Sequence, residues 1–266
     1  MPVAIATPEV SVESLGRVFG WAVVHAIAFI AARKWTTPSI FKSRHYDTNY
    51  WTSSVISTVH AIIMCVNASR MIARDEVEIW GGGYDRAVPE WERSIEFSAG
   101  YFVYDFVFMM LPSTACEESP SKEMLFHHVV SIQTHYWPVC VCKYGIAMSV
   151  VGYLAELSTP FANARWMLKE AGGGTGTAVY LANGALLTAS FFLCRICAVG
   201  FLLYMMFVAH PRFTGGLSLG TAMGGGLGHI VAPLTVAFYC LNLVWMWKIG
   251  RGMVRAMRKK GQKGAK

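Results

Sequence analysis

Charge is what this chain is short of. Only 15% of its 266 residues are Asp, Glu, Lys or Arg, where a soluble domain averages about 25%. Apolar residues make up 54%, and the mean hydropathy is +0.40. That balance excludes disordered and collagenous chains and points to the membrane class. Acidic residues are absent from the last nineteen positions, which hold Lys248, Arg251, Arg255, Arg258, Lys259, Lys260, Lys263 and Lys266. The remaining 15 basic residues face 16 acids, so the net charge of +7 belongs to a tail. Basic residues are not spread over a folded face, which argues against a nucleic-acid partner. The seven cysteines all sit in apolar stretches except Cys116, which excludes a disulfide framework. The pairs Cys140/Cys142 and Cys194/Cys197 lack partners at zinc spacing, so neither a metal nor a resident cofactor is expected. Gly172 to Gly174 with Gly176, and the run from Gly215 to Gly228, follow no strand and fit no phosphate loop. They read as connectors.

What is present is a succession of apolar runs, each near the roughly 20 residues needed to cross a bilayer as a helix. Seven stand out, at about 15–33, 51–71, 95–112, 122–142, 147–168, 178–208 and 228–249. Lipid offers no partner to an open sheet edge, so the fold class is all-α, a polytopic bundle of about seven transmembrane helices. The first run is followed, not preceded, by its charges Arg33 and Lys34, so it reads as an uncleaved span with the N-terminus outside. Counting Lys and Arg on alternate sides then gives 15 with the C-terminal tail and 7 opposite, which makes the C-terminus cytosolic. The longest outside loop, 72–94, is net acidic, and its GGGYD, Trp80 and Trp91 suggest an ordered interfacial segment. Three regions follow: 1–50 with the first helix and a cytosolic loop, 51–250 as the main domain, and 251–266 as the basic tail.

Ionisable side chains inside spans are costly and are therefore the first functional candidates. On span four, KEMLFHHVVSIQTHY, a helical projection brings His127, His128, Ser131, Thr134 and His135 into one sector of about 120°. This polar stripe predicts an inward face on a cavity, with hydrogen bonding between helices as the plainer alternative. On span three, Tyr101 and Asp105 share a face, and Asp105 lies at a depth similar to His127, so antiparallel neighbours could pair them. On span five, Glu156, Pro160 and Asn163 lie close in projection, and Pro160 is expected to free the Glu156 carbonyl. His25, His60 and Arg195 are isolated and suit structural pairing or snorkelling. His60 is also a candidate substrate contact.

WTSSVISTVHA on span two, GYFVYD on span three, FHHVVSI on span four and LAELSTPFANARW on span five together resemble the TLC-domain proteins, the ceramide synthases and their relatives. The resemblance covers about residues 50–250. It implies a helical bundle around a lipid-accessible cavity, usually in the endoplasmic reticulum, acting in lipid metabolism or membrane-lipid homeostasis. Ceramide synthases follow their His pair by an HDxxD segment. Here the matching stretch reads Leu154-Ala155-Glu156-Leu157-Ser158-Thr159, so the chain looks closer to the divergent TLC-domain-containing proteins. Two functions are expected. One is an acyltransferase with acyl-CoA as substrate: His127 or His128, helped by Asp105, moves a long acyl chain to an amine or hydroxyl, while Tyr101, Ser131, His135, Glu156, Asn163 and His60 contact the substrate. The other is a non-catalytic protein that binds, senses or escorts lipid. The expected partners are the bilayer and a lipid or fatty acyl ligand, and homo-oligomerisation is left open.

Overall fold

A computed structural model describes residues 11–42, 44–81, 89–136, 146–171, 176–204 and 228–264, and within them every regular element is a helix. In chain order these are α1 (Val12–Trp35), α2 (His45–Gly81), α3 (Pro89–Met110), α4 (Lys122–Tyr136), α5 (Ile146–Gly152), α6 (Thr159–Glu170), α7 (Ala178–Phe191), α8 (Val199–Tyr204) and α9 (Gly228–Gly264). A 3₁₀ segment, Tyr153–Ser158, joins α5 to α6, and a π-helical segment, Phe192–Ala198, joins α7 to α8. The described residues therefore make seven rods. Val12–Trp35, His45–Arg74 and Ala178–Tyr204 are each long and apolar enough to cross a bilayer unaided. The other rods carry acids or breaks: α3 holds Glu90, Glu92 and Glu96, and the fifth rod changes helix type halfway.

Polarity runs opposite to that of a soluble domain. On α1 the residues Phe19, Val23, Ile27 and Ile30 face outward, while Ser14, His25 and Phe29 are buried. Outward apolar side chains suit lipid. Lipid, however, provides no hydrophobic drive between helices, so contact rests on close packing and polar bonds. Both hold α1 to α3. Arg17 donates to both carboxylate oxygens of the buried Glu96, at 2.7 and 2.8 Å. Nearby, Gly100 lets the two backbones meet, because a Cβ there would lie 2.7 Å from the Val18 carbonyl oxygen and 2.5 Å from Trp21 Cβ.

The bundle is solid at one end and hollow at the other. At the solid end Met64, Met71, Trp91, Ile95, Val150 and Val151 form a close-packed cluster. At the hollow end the facing positions of α2 and α6 are small or polar: Ser53, Ser54, Ser57 and Asn163. The connection 111–121 caps the hollow end. Thr114 and Ala115 N–H return to the Leu111 carbonyl, Asn49 donates to the Ala115 carbonyl at 2.8 Å, and the Ser121 hydroxyl caps α4 by accepting from Met124 N–H. Glu170, at the end of α6, meets Lys169 at 2.8 Å and Arg44 at 3.8 Å. The Lys169 ammonium holds the Glu170 carboxyl below its usual range.

Several expectations change. The outside loop expected at 72–94 is mostly helix, since α2 runs on to Gly81 and α3 starts at Pro89. Trp91 is a buried core residue, not an interfacial one, because α3 already faces α2 at that level. The Trp80 side chain, residues 82–88, Cys140, Cys142 and nearly all of the two glycine clusters lie outside the described residues. No break separates the basic tail from the last span: α9 continues to Gly264, with Arg251 over the Trp247 ring at 4.5 Å.

The α1–α3 contact generates a prediction. Gly100→Ala must push the two backbones apart, and overpacking of this kind costs about 1–3 kcal/mol. The detergent melting temperature should fall by several degrees, while Gly16→Ala, where a Cβ meets nothing within 4 Å, should leave it unchanged. Equal melting of the two variants would mean that α1 is not held by close approach.

Candidate functional site

The hollow end encloses a cavity of about 490 Å³. Its wall takes Ser53, Ser54 and Ser57 from α2, Tyr101 and Asp105 from α3, His127 and His128 from α4, Glu156 from the 3₁₀ segment, Asn163 and Arg165 from α6, Arg195 from the π segment, and Trp245 and Lys248 from α9. The adjacent histidines diverge by about 100° on their helix, and their rings stand perpendicular with centroids 5.3 Å apart.

That divergence gives them different partners. His128 Nδ1 lies 2.8 Å from the Met124 carbonyl oxygen one turn back, and Nε2 lies 2.7 Å from Asp105 Oδ2. A carbonyl can only accept, so Nδ1 carries a hydrogen, and the short contact at Nε2 holds one proton between imidazole and carboxylate. Asp105 Oδ1 accepts from the Ser53 hydroxyl at 3.2 Å. One carboxylate therefore ties α2, α3 and α4 together. His127 is also buried, but its ring stacks on Phe238 with centroids 5.3 Å apart, and its Nδ1 has no hydrogen-bond partner among the described residues. A buried polar atom without a partner is costly. His127 is thus the uncommitted imidazole of the pair.

A second polar centre lies on the cavity wall. Arg195 Nε donates to the Ala155 carbonyl at 3.1 Å and the Ser158 hydroxyl at 2.9 Å, and Nη2 reaches Thr159 Oγ1 at 3.3 Å and Glu156 Oε1 at 3.5 Å. Thr159 in turn donates to Glu156 Oε2 at 2.8 Å. The 3₁₀ and π segments make this meeting possible, one by turning the carbonyl of Ala155 inward and the other by re-aiming Arg195, and π turns often mark functional positions. Asn163 donates to the Ser54 carbonyl and to the hydroxyls of Ser57 and Thr58, at 3.0 to 3.2 Å, which fixes α6 on α2.

Six of the nine residues expected at the site line the cavity: His127, His128, Asp105, Tyr101, Glu156 and Asn163. Ser131, His135 and His60 do not. His135 bonds the Ser131 carbonyl and packs between Phe102 and Tyr153, with centroids 4.9 and 5.0 Å away. His60 stacks on Tyr101 at 3.8 Å and bonds the Ser98 hydroxyl at 3.1 Å. The stripe on α4 is real as a face, yet only its first turn reaches the cavity, because Phe102 and Tyr153 fill the space beyond. Asp105 pairs with His128 rather than His127. The Glu156 carbonyl is not left free by Pro160: Thr159 N–H closes a 3₁₀ turn on it. Arg195, expected to pair structurally or snorkel, pairs with Glu156, 39 residues earlier in the chain, and lines the cavity beside it.

The TLC-domain family model matches residues 50–251. TLC domain-containing protein 4 of Homo sapiens is 26% identical over 226 residues, covering 81% of this chain and 78% of that protein. TLC domain-containing protein 4-B of Danio rerio is 28% identical over 232 residues, with the same shares, 81% and 78%. TLC domain-containing protein 2 of Danio rerio is 30% identical over 156 residues, covering 56% of this chain and 58% of its own length.

The Glu156–Arg195 pair generates the next prediction. Removing one partner from a buried ion pair costs about 3–5 kcal/mol, and replacing both costs far less. Arg195→Gln should therefore melt well below wild type in detergent, and adding Glu156→Gln should restore much of the loss. If the two losses simply add, the pair is not coupled.

Proposed function

Because the chain belongs to the TLC-domain family of membrane proteins, we propose that it handles membrane lipid by holding an acyl chain in the hollow end of the bundle and transferring it at the His pair. The observation that carries this reading is His127: a buried imidazole with an unpartnered nitrogen, on a cavity wall, beside a histidine already committed to a carboxylate. In the proposed reaction the hydroxyl or amine of an acceptor gives its proton to His127 as its lone pair attacks the thioester carbonyl of an acyl-CoA. The C–S bond then breaks, and the departing thiolate takes the proton from His127. The products are an ester or amide and free CoA. Both nitrogens of His128 are engaged, so His128 and Asp105 position α4 and set the charge beside His127 and do not exchange the proton themselves. The hollow end faces the cytosol in this proposal, and residence in the endoplasmic reticulum is carried over from the ceramide-synthase resemblance.

A non-catalytic reading has its own support. Glu156, which stands near the first Asp of the synthase HDxxD segment, is held by Arg195 and Thr159 and is not free for chemistry. On that reading the protein retains or escorts lipid.

Purified protein in nanodiscs, supplied with long-chain acyl-CoA and sphingoid, lysophospholipid and glycerol acceptors, separates the two. Acyl transfer requires His127→Ala to lose roughly 10²- to 10⁴-fold in turnover with its melting temperature kept, and Asp105→Asn to lose less turnover while melting lower, because the tie among α2, α3 and α4 is weakened. A wild type that consumes acyl-CoA no faster than the His127→Ala, His128→Ala protein on any acceptor removes the enzyme reading. Reduced lipid retention in those variants would then support the escort reading.

A further inference from the structure

Among the described residues three cations line the cavity, and two are matched. Arg195 meets Glu156 at 3.5 Å, and Lys248 meets Glu123 at 2.7 and 2.9 Å. Arg165 is the exception: among the described residues it makes no ion pair and no hydrogen bond to a carboxylate. Its guanidinium is nevertheless held in place. It lies over the Tyr180 ring, 4.4 Å from the centroid. Its Nη1 occupies the space where a Cβ of Gly184 would sit only 2.7 Å away, and Nη2 lies near Gly252 of α9. Three helices, α6, α7 and α9, thus converge on this guanidinium. Each leaves room for it, and none supplies a counter-charge among the described residues. Glu117, the acid at the rim, is exposed on the 111–121 connection.

An arginine at a membrane cavity is costly without an anion. A planar fork fixed from behind by an aromatic face is suited to bidentate contact with phosphate. We propose that Arg165 is the receptor for a phosphate group at the cavity, so that the ligand taken up is an acyl compound carrying a phosphate ester. This deepens the proposed acyl-chain site and rests on it. The same chemistry could come from the phosphates of an acyl-CoA, from a phospholipid headgroup or from free phosphate. Gly184 serves as a specificity device, since its missing side chain is what lets the guanidinium reach its position.

The test uses the full chain in dodecyl maltoside, which contains no phosphate, with binding of palmitoyl-CoA, dipalmitoyl phosphatidic acid, inorganic phosphate and neutral monoacylglycerol measured side by side. Arg165→Gln should weaken the phosphorylated acyl ligands by about tenfold or more and leave monoacylglycerol unchanged. The stronger of the two phosphorylated ligands identifies the source. Gly184→Ala, which shifts the guanidinium and keeps its charge, should give an intermediate loss, as should Arg165→Lys. These two variants decide the matter if Arg165→Gln does not fold. Equal affinity of wild type and variants for the phosphorylated ligands overturns the receptor and leaves the acyl-chain site standing. Binding of inorganic phosphate without any acyl ligand overturns the substrate class. Failure of wild type to bind even monoacylglycerol overturns the acyl-chain site and the receptor together.

Discussion

The carboxylate of Asp105 is the point on which the hollow end depends. It accepts from Ser53 on α2 and faces His128 on α4, while its own helix, α3, is tied to α1 by the Arg17–Glu96 pair and the Gly100 contact. Apolar surfaces do not drive helices together in lipid, so a charge shared among three helices there fixes their relative positions more strongly than packing alone. The same bond divides labour between two adjacent residues. By taking His128, Asp105 leaves His127 as the imidazole with a nitrogen to offer.

The cavity follows from a gradient in side-chain size. Met64, Met71, Trp91 and Ile95 fill one end of the bundle, and where α2 reads Ser53, Ser54 and Ser57 the volume is not filled. The backbone segments that depart from α-helix, Tyr153–Ser158 and Phe192–Ala198, fall at the level where the filling stops. Each frees a position for a polar side chain, and together they place Glu156 and Arg195 face to face. The exposed apolar belt on α1 and α7 and the polar interior are two results of one inversion, a chain folded for a solvent without hydrogen bonds.

Much of this was legible in the sequence because the informative residues are rare. Seven apolar runs mark seven rods, and in a chain this poor in charge an Asp105 or a His127–His128 pair stands out against its span. Depth was not legible. Helical projection gives the angle of Ser131 and His135 but not how far the cavity extends, which depends on Phe102 and Tyr153 arriving from other helices. Arg165 and Arg195 were hidden for related reasons. A lone arginine near a span end looks like a topology signal, and a lone arginine within a span looks like a packing accommodation. Only the fold shows that one has a carboxylate 39 positions earlier in the chain and the other has none among the described residues. For Trp91 the loop composition suggests an interface, while its position on the α3 face that meets α2 decides its burial.

Nitrogen-15 solid-state NMR of histidine-labelled protein in bilayers distinguishes the two imidazoles, with His127→Gln and His128→Gln used for assignment. His128 should show both ring nitrogens hydrogen-bonded, with Nε2 moving on Asp105→Asn and Nδ1 staying in place. His127 should show a ring nitrogen with no hydrogen bond, insensitive to that substitution. If the two histidines give the same pattern, or if Asp105→Asn leaves the His128 signals unmoved, the Asp105–His128 pairing is absent and does not organise the site.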